Sequence, residues 1–240
     1  MSIDIQVKLN YEVQSLYAGY ACTAIMLAGM ILMGFIPPHS PAFTAETIAG
    51  LYAEQTGTKV GGLILLMFAS ALYLPFSVGI GFQMIRIEGS RPLLAVTQML
   101  LGLATAMLLL LAEIFWAAAL FRAGRDPQLI VLMSDLGWLT FLWPFPFALL
   151  QYLTVGICIL SDRRPKTYLP RWLGFFSIWT AISLIFGALI PAFRQGPFAW
   201  NGLFGFWIPA AFFFLWIVLA CGVMSRAARQ DAASFKASEI

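Results

Sequence analysis

The sequence predicts an all-α polytopic membrane bundle: six transmembrane helices plus a short extracytoplasmic amphipathic helix. The first observation behind this is composition. Of 240 residues, 61% are hydrophobic and 10% charged, and the mean hydropathy is +0.86. Soluble domains carry about 25% charged residues, and a chain of this length has no interior large enough to hide so much apolar surface, so lipid must be its solvent. The second observation is segmentation. The apolar residues fall into six runs, each near or above the roughly 20 residues that cross a hydrocarbon core of about 30 Å at about 1.5 Å per residue. The third is that Lys and Arg gather on alternate sides of those runs.

Residues 1–15 are mixed polar, without the basic patch and short apolar core of a cleaved signal peptide, and read as a cytoplasmic segment. The first span is expected over 16–36, stopping at Pro37-Pro38. Residues 37–59 form the longest polar stretch between spans. Within it Thr44 is an N-cap, Ile48, Leu51 and Tyr52 share one face, and Gly57 is a terminator. This predicts an amphipathic helix over 44–55 lying on the membrane surface.

The second span is expected over 60–85, with Pro75 near its middle, and the third over 92–121. The next apolar stretch, 127–160, holds 34 residues and would be about 50 Å long as one helix, too long for a bilayer core. Ser134-Asp135, two good capping residues, is the expected break, leaving 127–133 as an interfacial lead-in and 136–160 as the fourth span. Spans over 170–190 and 203–224 complete the six-helix domain of residues 16–224, and the polar tail 225–240 is expected to fray in the cytoplasm. Gly34-Phe35-Ile36-Pro37 and Gly187-Ala188-Leu189-Ile190-Pro191 close the first and fifth spans alike, a similarity too short to signal an internal repeat.

With the N-terminus inside, ten basic residues lie on the cytoplasmic side: Lys8, Arg86, Arg91, Arg163, Arg164, Lys166, Arg171, Arg226, Arg229 and Lys236. Four, Lys59, Arg122, Arg125 and Arg194, lie opposite. The positive-inside rule therefore places both termini in the cytoplasm and the 37–59 segment outside. The basic loop around Arg163, Arg164 and Lys166 serves orientation and contact with anionic headgroups, so the net charge of +3 points to membrane lipids and not to nucleic acid. Cys22, Cys158 and Cys221 each sit in an apolar run, where a thiol acts as a small hydrophobe. A single histidine, His39, leaves no ligand set for bis-histidine haem, di-iron or zinc, so no metal and no cofactor is expected. No lysine lies inside an expected span to carry a Schiff base.

Ionisable residues inside a span are functional candidates by default, because they are costly there unless paired or solvated. Glu113 lies nine residues before Arg122, and Asp135 eight residues after Pro127 on the next, antiparallel helix. Near-equal offsets from the turn place the two carboxyls at similar depth toward the outer side, able to face each other. With Trp116, Trp138 and Trp143 near in sequence, such a pair would act as acid and base on an apolar substrate or bind the polar end of a ligand. The alternatives are structural: Asp135 as the N-cap of the fourth span, and Glu113 raised to the headgroup boundary by an overlong third helix. Arg194 is a candidate counter-ion, Trp200 an interfacial anchor and ligand contact, and Asn201 an N-cap and ligand contact. His39 reads as a loop residue at the interface. Gln83, Gln98 and Gln151 suit interhelical hydrogen bonds, and Pro75, Pro144, Pro146 and Pro209 should open kinks and small cavities.

Leu169-Pro170-Arg171-Trp172-Leu173-Gly174, then the run from Gly196 through Trp200-Asn201 to Leu203, then Phe206-Trp207-Ile208-Pro209, resembles a group of bacterial multi-pass membrane proteins without an assigned activity. The resemblance covers roughly the last third of the chain. It implies a shared six-helix body and carries over no catalytic residue or cofactor. Two functions are expected from the whole. One is an accessory subunit, partnered by other membrane subunits, or a binder of a hydrophobic small molecule. The other is an intramembrane enzyme of isomerase or cyclase type using Glu113 and Asp135.

Overall fold

The computed structural model describes residues 2–122 and 124–237, all helix, turn or irregular chain without a strand. Eight α-helices follow one another: α1 (Ser2–Leu32), α2 (Ala45–Ala53), α3 (Thr56–Glu88), α4 (Leu93–Leu120), α5 (Pro127–Leu142), α6 (Phe145–Ser161), α7 (Arg171–Ser183) and α8 (Ile208–Ala237). A 3₁₀ run, Leu184–Ala192, extends α7, and a π turn, Leu203–Trp207, leads into α8. Six segments among the described residues are long and apolar enough to span a membrane: Asn10–Leu32, Thr56–Glu88, Leu93–Leu120, Pro127–Ser161, Arg171–Ala192 and Leu203–Asp231. The protein is thus an all-α membrane bundle, as its composition requires.

Consecutive spans pack as antiparallel neighbours. α3 lies between α1 and α4, α4 also meets α5 and α6, and α8 closes the ring against α1 and α7. One end of the bundle carries the two chain termini and is the terminal end. The other carries the segments 33–55, 121–126 and 193–202, and is the cap.

The long fourth segment differs from expectation in where it breaks. Asp126 Oδ1 accepts from the backbone N–H of Gln128 at 2.8 Å, with Pro127 at the first helical position. That pairing of an Asp cap and an N1 proline is a stronger start than Ser134-Asp135. The helix therefore begins at Pro127 and runs through Ser134-Asp135 without interruption, and the break falls instead at Trp143-Pro144. Elsewhere Thr44 caps α2 as expected, accepting from Thr47 N–H at 3.3 Å. Gly57, however, lies in the first turn of α3, and the turn between the helices is made by Gln55 at φ 48°. Nor does α2 rest freely on a membrane surface, because Ile48 and Tyr52 are buried and the helix packs on α5. The tail is more ordered than expected: α8 continues to Ala237, and Asp231 pairs with Arg86 at 2.9 Å while Arg86 also pairs with Glu12 at 2.6 Å.

α1 and α3 approach closely at glycines. An added Cβ on Gly29 would stand 2.9 Å from the Gly62 carbonyl oxygen, and one on Gly62 would stand 2.9 Å from the Gly29 carbonyl oxygen. Small residues that let backbones touch are the usual basis of helix association in lipid. Gly62→Ala is expected to destabilise the bundle by about 2 kcal/mol: an overpacking cost of up to about 3 kcal/mol against backbone that cannot yield, offset by about 1 kcal/mol of better helix propensity. Thermal unfolding in detergent measures this, and an unchanged or raised midpoint would refute it.

Candidate functional site

At the cap, the segment after α1 folds inward and delivers His39 to the top of α5. Trp138 Nε1–H donates to His39 Nε2 at 2.8 Å, and Ser134 Oγ lies 3.3 Å from the same nitrogen. Tyr52 O–H of α2 donates to Ser134 Oγ at 3.2 Å, and Trp200 Nε1–H donates to the His39 carbonyl at 3.0 Å. Because Nε2 accepts, the neutral ring carries its proton on Nδ1, a buried atom with no partner in hydrogen-bond geometry. Burial pushes the imidazole down to about 4, with the Ser40 backbone pulling weakly the other way. Burial likewise raises the Tyr52 phenol, opposed by its bond to Ser134. Around this network Phe35, Trp116, Trp138, Trp200 and Phe206 form a buried aromatic plug, with Trp138 stacked on Trp200 at 6.2 Å and edge-on to Trp116 at 5.4 Å.

Trp116, Trp138 and Trp200, three of the residues singled out by sequence, are therefore brought together. Trp200 is no interfacial anchor, since it is 6% exposed and holds the loop at His39. Trp143 is separated from them, 51% exposed on the outside of the bundle. Arg194 is exposed in the loop before the π turn and within electrostatic reach of Asp135. Asn201 is half-buried in that loop, and the π turn is capped by Gly202 without a side-chain bond. His39, Ser134 and Phe206 were missed as site residues.

Glu113 and Asp135 are not brought together. Trp116 packs on Gly137 and Trp138, and with that register Glu113 lies opposite the level of Thr140, so the two carboxyls differ in depth by about 8 Å at 1.5 Å per residue. They also face different neighbours. Glu113 is 4% exposed and accepts from Ser70 Oγ of α3 at 2.6 Å, with Cys22 of α1 beside it. Asp135 is half-buried and within electrostatic reach of Tyr52 and Arg194. Among the described residues no three His, Cys, Asp or Glu side chains gather as they would around a metal ion.

Below the aromatic plug lies a cavity of about 100 Å³ with a lining that is almost entirely apolar. Met26 and Met30 of α1, Thr105 and Leu109 of α4, and Phe213 and Phe214 of α8 form its helical walls. The remaining wall is irregular backbone. A proline deprives the carbonyl four residues earlier of its helical donor. The end of α5 and the break after it contribute Thr140, Leu142 and Pro144, the 3₁₀ run contributes Leu184 and Gly187, and the π turn contributes Gly205 and Phe206 ahead of Pro209. Pro75 stands apart, with Ala71, four residues before it, exposed on the outer surface. Phe141, Phe145, Leu184 and Phe214 line the cavity and are partly exposed, so it opens sideways between helices.

Fold and site together define an integral membrane protein with an aromatic cap over a proline-edged internal cavity. No protein-family model, no curated protein and no solved structure matches the chain.

Proposed function

We propose that this protein sits in the bacterial cytoplasmic membrane with both termini inside and binds a hydrophobic small molecule between its helices, as an accessory component alongside other membrane subunits. The observation that carries the reading is the convergence of three irregular backbone segments, the α5–α6 break, the 3₁₀ run after α7 and the π turn before α8, on one cavity. Non-helical backbone at membrane depth is tolerated where it is buried in protein or lines a cavity, and three such segments beside one cavity make a built feature. The lining selects the ligand's chemistry: nearly all apolar, rich in Phe and Met, with Thr105 and Thr140 as its hydroxyls. At about 100 Å³ the enclosed space is smaller than the roughly 150 Å³ apolar cavity that takes a benzene ring. It suits a branch, ring or chain end of an isoprenoid, quinone, pigment or acyl lipid, whose remainder passes out sideways. The two-carboxyl enzyme has less support, because its acid and base would stand at different depths and face apart.

Ala148 and Ala210 both line the cavity and are small enough for substitution to fill it. Purification in mild detergent followed by mass spectrometry of lipids and proteins should find an apolar molecule held by the wild type at near-stoichiometric level. Ala148→Phe and Ala210→Phe should each lose it at least tenfold while keeping the wild-type unfolding midpoint to within a few degrees. The same molecule retained at equal level in both filled variants would remove the cavity from consideration.

A further inference from the structure

Beyond the apolar cavity, we propose that Glu113 is a proton-binding site served by internal water along a polar stripe shared by α1, α3, α4 and α6. The stripe is made of groups that the helices leave incomplete. Glu113 Oε1 accepts from Ser70, but Oε2 is buried without a partner. Gln151 Nε2 and Gln98 Oε1 are in the same condition, and each of these side chains is more than nine-tenths buried. An orphaned polar atom in an apolar interior is costly, and water with two to four polar partners is the common remedy.

These atoms are neighbours. Cys22 interacts with Glu113 on one side and with Tyr73 and Tyr152 on the other. Tyr73 O–H donates to Gln151 Oε1 at 2.9 Å, and Thr105 Oγ1 approaches the same oxygen at 3.5 Å. Gln98 Nε2 donates to Ser77 Oγ at 3.0 Å. Gly102 leaves the space where these two groups meet, since a Cβ there would strike both Ser77 Oγ and Gln151 Nε2. Position on the helices agrees. Ser70, Tyr73 and Ser77 share one face of α3, and Gln98, Gly102 and Thr105 share the inward face of α4, which continues through Leu109 to Glu113.

No Lys or Arg pairs with Glu113 among the described residues, where Arg86 pairs with Glu12 and Asp231, and Arg164 with Asp162. The groups facing Glu113 are the Cys22 thiol from α1 and the Ser70 hydroxyl from α3. Tyr152 of α6 interacts with Tyr73 and Cys22, while Asp135 of α5 and Tyr52 of α2 interact with each other at the cap, where Tyr52 bonds Ser134. With no cation beside it, the carboxyl is neutralised by a proton, which passes between Oε2 and water. Ser70 keeps Oε1 as the acceptor, so Oε2 carries the exchange.

Infrared spectroscopy of the reconstituted protein tests this. The wild type should show a protonated-carboxyl C=O band that moves in heavy water and bleaches reversibly as pH is raised, and Glu113→Gln should lack it. Glu113→Gln preserves an acceptor for Ser70 and should fold. If it does not, Ser70→Ala, which removes the donor to the same carboxyl, should displace the band and its titration. Absence of any band assigned to Glu113, or a band unmoved by heavy water and pH, overturns the proposal. Loss of the apolar ligand in the cavity-filling variants has no bearing on it, so the two readings fail separately.

Discussion

Trp138→Ala is expected to lower stability by about 4 kcal/mol, the largest effect of any single truncation in the cap. Replacing a buried Phe or Trp by Ala costs about 3 to 5 kcal/mol in well-packed interiors, because the void keeps its walls. Trp138 has no exposed surface and packs against Phe35, Trp116, Phe141, Trp200 and Phe206. Lipid refills a gap on the outside of a bundle, but the space under the His39 segment is closed, so dispersion contacts are lost outright. The hydrogen bond to His39 is the smaller component, about 1 kcal/mol. Trp138→Phe, which keeps most of the ring and removes the N–H, should therefore cost about 1 to 2 kcal/mol. Unfolding in detergent gives both values, and limited proteolysis should show the segment after α1 opening first. A Trp138→Ala protein within about 1 kcal/mol of wild type would show that the plug does not hold the cap.

The membrane bundle was legible because one physical quantity, apolar content per segment, decides it. Six runs long enough to span leave few alternatives, and the boundaries of α3 and α4 moved by only a few residues. The break in the fourth segment was misplaced through a local competition. Ser134 and Asp135 are good caps in isolation, but Asp126-Pro127 begins the helix earlier, and an ongoing helix has no use for a second start. Prolines inside apolar runs predict openings, and Pro144 makes one. What a sequence pattern does not contain is that this break, the 3₁₀ run and the π turn meet at one cavity, since that depends on how α4, α6 and α8 pack.

The site residues divide on the same principle. Glu113 declared itself, because a carboxyl inside an apolar run is conspicuous whatever surrounds it. Its partner was misassigned because counting from the turn ignored the register that Gly137 fixes by letting Trp116 close on α5. His39 in its proline-rich loop gave one faint signal, being the sole imidazole in the chain. Its bonds run to Trp138 and Trp200, 99 and 161 residues away, a separation over which local pattern carries no information. Trp200 was read as an anchor for the same reason, since aromatic residues at helix ends meet headgroups unless a loop covers them.

Acid should open this cap, and His39 is the group through which it acts. In the folded protein burial holds the imidazole at about 4, against 6.5 for the unperturbed group. Above pH 6.5 the ring is neutral in both states and the contribution is complete. As pH falls from 6.5 toward 4 the unfolded chain binds a proton that the folded one refuses, so stability declines by up to about 1.4 kcal/mol per pH unit. Below about 4 both states are protonated and the decline ends, after a total of up to about 3 kcal/mol. The geometry gives the reason: a proton on Nε2 would abolish the acceptor that Trp138 uses and set two donors against each other. His39→Gln isolates the effect, because the amide oxygen can take the Trp138 hydrogen bond but does not titrate. Its stability should be nearly flat through the window in which the wild type declines, with the difference appearing first in protection of the cap segment from proteolysis or hydrogen exchange. Parallel pH profiles for the two proteins would assign the acid sensitivity to groups other than the histidine.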